Sequence, residues 1–186
     1  MISIAVPATV LVIVGLVILL SKGSGTATDS ASSTTAPSTT TPVTTVPLRS
    51  AAGKPCVPLV DLPPSSAPTV DIPVGTPPTT LQITDIKEGT GPAVTATDKV
   101  TVNYIGVACS SGAIFDESYT AGKPVTFGLN QVIPGWTQGL QGMKAGGVRE
   151  LVIPPSLGYG ASGQGAKIAP DETLIFVVEL KSFTAA

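Results

Sequence analysis

Two residues in the second half of the chain sit where side-chain chemistry would matter: Asp116 follows Phe115 directly, and Trp136 follows Pro134-Gly135. A carboxylate beside an apolar block is costly unless it is hydrogen-bonded. The single tryptophan of the chain stands at the start of an element instead of inside one, where its ring can face a cavity. Each has an ordinary alternative, a turn aspartate capping the bend into Glu117-Ser118 and a plain core indole. The chemistry such residues support is binding and orientation in an apolar pocket.

Other chemistries are excluded by composition. The 186 residues contain no histidine, which removes Ser-His-Asp and Cys-His nucleophiles and histidine metal sites together. Two cysteines outside a C-x-x-C arrangement support neither a zinc site nor a thioredoxin-like redox centre. Gly158 to Gly163 fits G-x-G-x-x-G, but Pro170 and an alternating apolar run follow where a dinucleotide site needs a helix. These glycines read as loop punctuation that leaves Tyr159 free to point inward. Ten Lys+Arg against twelve Asp+Glu, net -2, give no basic field for nucleic acid.

Period-two alternation positions these residues. Val100, Val102 and Tyr104 alternate, as do Leu174, Phe176, Val178 and Leu180, which marks half-buried strands. Shorter strand candidates lie at 82–87, 113–116, 125–129 and 148–153, bounded by Gly, Pro and Ser. Trp136, Leu140 and Met143 recur at helical spacing, and Gly146-Gly147 stops that run. The expectation is an α+β domain at 81–186, a twisted antiparallel sheet of five to six strands around one short helix, with one sheet face buried.

The front of the chain differs. Residues 1–20 carry no charge, and about 20 residues at roughly 1.5 Å rise span a hydrocarbon core of about 30 Å, so 1–21 reads as a transmembrane signal anchor or a signal peptide. Retention is preferred, because a basic segment before the apolar run is absent. Residues 22–53 read as a disordered Thr/Ser/Pro-rich linker and 54–80 as an extended Pro-rich arm. Lys22 taken alone would keep the following chain inside; the cysteines and the stalk outweigh it, which places the folded domain outside the cytoplasm, secreted if the leader is cleaved. Cys56 and Cys109 are either a bridge stapling the arm to the sheet or a surface thiol and a core thiol. The bridge is preferred, since an exposed free thiol outside the cell is a liability.

From residue 82 onward, five blocks in order resemble the FK506-binding (FKBP-like) class of prolyl isomerases. They are VNYIG around Tyr104, IFDES around Phe115 and Asp116, QVIPGWTQGL around Trp136, GMKAGGVRELVIPPSLGYG ending at Gly160, and PDETLIFVVEL around Phe176. The resemblance implies that Trp136 floors a pocket walled by Tyr104, Phe115, Val132, Ile133 and Phe176. It places Asp116 in contact with ligand, makes the Tyr159 hydroxyl and the Ile133 N–H donors to substrate, and sets Ile168 in an overhanging loop. No cofactor or metal is implied. Proline-containing polypeptides are the expected partners, FK506- and rapamycin-like macrolides the expected inhibitors, and a monomer the expected state. Two departures stand out: Val125 occupies a position often aromatic, and Lys167 and Ala169 replace an apolar residue and a proline in the overhanging loop. A binding or chaperone module with little catalysis is the alternative function.

Overall fold

A computed structural model describes residues 48–186. The membrane segment expected at 1–21, and the expected linker up to residue 47, lie outside the described residues; among those described, no helix is long and apolar enough to cross a membrane. The elements in order are β1 (Gln82–Lys87), β2 (Thr90–Ala93), β3 (Lys99–Ala108), β4 (Ile114–Glu117), β5 (Val125–Gly128), α1 (Pro134–Gly139), β6 (Lys144–Ala145), β7 (Val148–Ile153) and β8 (Leu174–Thr184). Six strands form one antiparallel sheet in the order β1-β7-β8-β3-β4, with β5 pairing β3 as well. β2 and β6 make a separate two-stranded ribbon.

The long pair β3 and β8 forms the spine, from Lys99 opposite Thr184 to Ala108 opposite Leu174, with a one-residue shift of register between Thr101 and Val102. Its alternation sorts side chains by face. Val100, Val102 and Tyr104 join Leu174, Phe176, Val178 and Leu180 in a core closed by Trp136, Leu140 and Met143. The opposite parity, Ile105, Val107, Ile175 and Val177, forms a second core with Cys56, Val70 and Ile72. The expectation of a sheet buried on one face is therefore corrected: residues from the arm cover the other face.

That arm is held by few regular bonds and one covalent one. Cys56 is joined to Cys109 by a disulfide with Cα atoms 4.4 Å apart. Around it, Cys56 N–H donates to Gly75 O at 2.7 Å, Val57 N–H to Cys109 O at 2.9 Å and Asp71 N–H to the Glu150 carboxylate at 2.9 Å. Burial of Glu150 pushes its carboxyl above the ordinary range. A linker reaching residue 53 does not fit Ser50 and Ala51: Ala51 is buried and donates to Pro170 O at 2.7 Å, and the Ser50 hydroxyl donates to Asp171 at 2.9 Å.

The helix is shorter than its spacing suggested. Pro134 opens it, Leu140 caps it, and Gly142 at φ +79° turns the chain, so Met143 packs into the core from a turn. A left-handed backbone is cheap only for glycine, which ends the helical run here before Gly146-Gly147. Arg149 of β7, 8% exposed, satisfies the freed carbonyls: Nη1 donates to Gly139 O and Gln141 O at 2.8 and 2.9 Å, while Nε and Nη2 hold Asp85 of β1. One guanidinium thus ties an edge strand to the end of α1. Arg149→Met is expected to cost about 2–4 kcal/mol, because buried carbonyls lose their donors. Urea unfolding midpoints of parent and variant check this.

Candidate active site

The helix start, the β3–β8 spine and two crossing strands bring most of the singled-out side chains together. Tyr104, Phe115, Asp116, Val132, Ile133, Trp136, Tyr159 and Phe176 all line one cleft of about 430 Å³, together with Phe127 and Gln131. Ile168 does not. It is buried, and lines an adjoining hollow with Phe115, Asp116 and Tyr159.

Trp136 lies within the first turn of α1, 4% exposed, at the base of the cleft. Three rings stand nearly perpendicular to its indole: Tyr104 at 5.5 Å and 84°, Phe127 at 5.5 Å and 82°, and Phe176 at 5.2 Å and 83° between centroids and planes. Phe115 meets Phe176 edge-on at 5.4 Å. Edge-to-face contacts of this kind add about 0.5–1.5 kcal/mol each beyond burial, so the rings form a stiff box. Room for it is made at Gly106 of β3, where a Cβ would stand 2.6 Å from Phe115 Cζ and 2.8 Å from Phe176 Cε1. The indole Nε1–H is buried without an acceptor in the described residues. Cores avoid such donors, whereas binding sites retain them.

The polar groups are few. The Tyr104 hydroxyl donates to Asp116 Oδ2 at 2.7 Å, and Glu117 N–H donates to Oδ1 at 3.0 Å, which compensates the carboxylate at the apolar rim. Ser118 fixes this corner by accepting Tyr104 N–H at 2.9 Å. Burial, then the Asp116 carboxylate, raises the Tyr104 phenol far above its ordinary value. The same two causes raise Tyr159. The Tyr159 hydroxyl and the Ile133 N–H meet no acceptor among the described residues, and both residues line the cleft. Ile133 supplies only its carbonyl to the helix, accepting Trp136 N–H at 2.9 Å and Thr137 N–H at 3.2 Å.

The loop after Tyr159 is a short 3-10 turn, Gly160–Ser162, followed by a bridge between Gln164 and Ile168. No α-helix follows its glycines, as the sequence reading required. Lys167 of this loop donates to Phe115 O at 3.0 Å, a contact its departure from an apolar type creates.

Phe127, Gln131 and Gly106 were not singled out from the sequence. Phe127 had a signal: it lies two residues beyond Val125 on β5, hence on the same face. It supplies an aromatic wall, whereas Val125 packs against the core beside the cleft. Gly106 ends the VNYIG block, but what it makes room for was not legible there, since the crossing rings come from β4 and β8.

Comparison with known proteins bears on this site. A family model described as FKBP-type peptidyl-prolyl cis-trans isomerase matches residues 91–181. An FK506-binding protein of Streptomyces anulatus is 56% identical over 116 residues, covering 61% of this chain and 94% of its own length. A probable FK506-binding protein of Corynebacterium glutamicum is 41% identical over 115 residues, 62% of this chain and 97% of that protein. Among solved structures, FkpA from Escherichia coli aligns with TM-score 0.55 and 46% identity over 58% of this chain and 50% of that one. The match thus spans nearly the whole of two relatives and half of a third. With its six-stranded sheet, short helix and aromatic cleft, this chain belongs to the FKBP-type peptidyl-prolyl cis-trans isomerases.

Proposed function

We propose that the folded domain accelerates rotation about X-Pro bonds in polypeptide clients outside the cytoplasm, using no covalent step. Resonance sets a barrier of about 18–20 kcal/mol for that rotation. A dry cleft that takes the proline ring, with donors placed for a carbonyl twisted out of plane, favours the rotated amide over either planar form. The observation that carries this reading is the ring box on Trp136 with the Tyr159 hydroxyl and Ile133 N–H left free beside it. Asp116 holds Tyr104 in place and presents its charge at the rim, and Ile168 shapes the adjoining hollow. Residues 1–20 hold the domain at the membrane, and the Cys56–Cys109 bridge suits an oxidising compartment.

Exchange NMR on X-Pro peptides with the full chain tests the proposal. Acceleration that disappears on adding FK506 is expected; peptide binding without acceleration would leave only a binding module. Tyr159→Phe is expected to lower kcat/KM about tenfold, the worth of one donor realised in the transition state. Because both cleft phenols are raised, no loss of activity through tyrosine ionisation is expected up to about pH 9.5, below the ordinary phenol value near 10. A descending limb centred below pH 9 that Tyr159→Phe abolishes would contradict it.

A further inference from the structure

Resting on the isomerase reading, we propose that this chain carries an acid-accepting subsite beside the cleft, which favours clients with an aspartate or glutamate a few residues from the proline. Three depressions follow one another. Phe115, Asp116 and Tyr159 line both the cleft and a hollow of about 370 Å³, and Lys167 lines that hollow and a further one of about 260 Å³. An extended client leaving the cleft on this side advances about 3.3 Å per residue, so it reaches the outer hollow within a few residues.

The outer hollow is cationic. Arg49, Lys54 and Lys167 line it with the hydroxyl-bearing Ser110 and Ser111, against a single carboxylate, Glu172. Three positive groups against one negative leave an excess of two positive charges, in a chain whose net charge is -2. Among the described residues Glu172 forms no ion pair with them. Its oxygens accept Ser110 N–H at 2.8 Å and the Ser110 hydroxyl at 2.7 Å. Ion pairs among the described residues join Arg149 to Asp85 and Lys181 to Glu179, so none of the three cations is paired. Lys167 spends one of its donors on Phe115 O at 3.0 Å, which holds the ammonium at the passage between cleft and hollow.

Both walls are this chain's own. Arg49 and Lys54 come from the segment anchored by Ala51 on Pro170 and by Ser50 on Asp171, and Lys167 comes from the overhanging loop. Asp116 is the countercharge on the cleft side, and it is already served by the Tyr104 hydroxyl and Glu117 N–H. A client carboxylate in the outer hollow meets three exposed cations, an attraction greatest at low salt, and loses that advantage as screening shortens to about 3 Å near 1 M.

The test uses the full chain and neutral-ended peptides with one X-Pro bond, carrying Glu or Gln two to five residues before or after the proline. The Glu:Gln ratio of kcat/KM is expected to reach about three- to fivefold on one flank at low salt, and to fall toward one in 0.5 M NaCl. In Arg49→Gln/Lys54→Gln the ratio is expected near one, and in Lys54→Glu below one. A ratio near one on both flanks in the active parent, or a preference that survives Arg49→Gln/Lys54→Gln, overturns the subsite. Kd ratios from NMR titration of the same peptides decide the point independently of turnover. Absent isomerisation with the Glu preference intact in Kd would sink the catalytic reading and keep the subsite.

Discussion

Trp136→Leu is expected to lower kcat/KM for X-Pro isomerisation about thirty- to hundredfold. The indole is the base against which a pyrrolidine ring would lie, and it holds three rings at right angles to itself. Leucine restores part of the volume but no flat surface, so a bound ring loses apolar contact worth about 2–2.7 kcal/mol, which the rate law converts to that factor. The same change leaves space in the core and is expected to cost about 2–3 kcal/mol of stability. Activity should therefore be measured by exchange NMR on protein whose amide spectrum shows an intact fold. A folded variant with parental kcat/KM would remove the cleft floor from the mechanism.

Removal of the bridge, as Cys56→Ala/Cys109→Ala, is expected to lower stability by about 4 kcal/mol. Its two ends are 53 residues apart, and closing a loop of that length restrains the unfolded chain by about this amount in the chain-entropy model. The consequence extends beyond the two sulfurs. Val70 and Ile72 cover Ile105, Val107, Ile175 and Val177 through an arm with little regular structure, so the second core depends on that arm staying docked. For a folded unit of this size the loss corresponds to roughly 10–15 °C in Tm. Thermal unfolding with and without a reductant measures it; a difference under about 3 °C would mean that packing alone retains the arm.

The strands were legible in the sequence because alternation reports directly which side chains face a core. β1 and β7 fall where residues 82–87 and 148–153 read as strands, and the β3–β8 spine follows its own period. β2 and β6 were not legible: Thr90–Ala93 contains Gly91 and Pro92, and the two residues of β6 follow a run that reads as helix. Paired with each other alone, they carry no periodic signal.

The kind of site, an aromatic cleft with one carboxylate and few donors, was legible through the resemblance of five ordered blocks to the FK506-binding class, and the absence of histidine excluded the main alternatives. Block order and residue type lie along the chain itself and can be read before any segment meets another. Which groups meet was settled by folding. The Tyr104 to Asp116 hydrogen bond, the Phe127 wall, the seat at Gly106 and the Arg149 clamp all join segments brought together by folding. So does the arm that buries the second sheet face, because period two records that a side chain is covered and not what covers it.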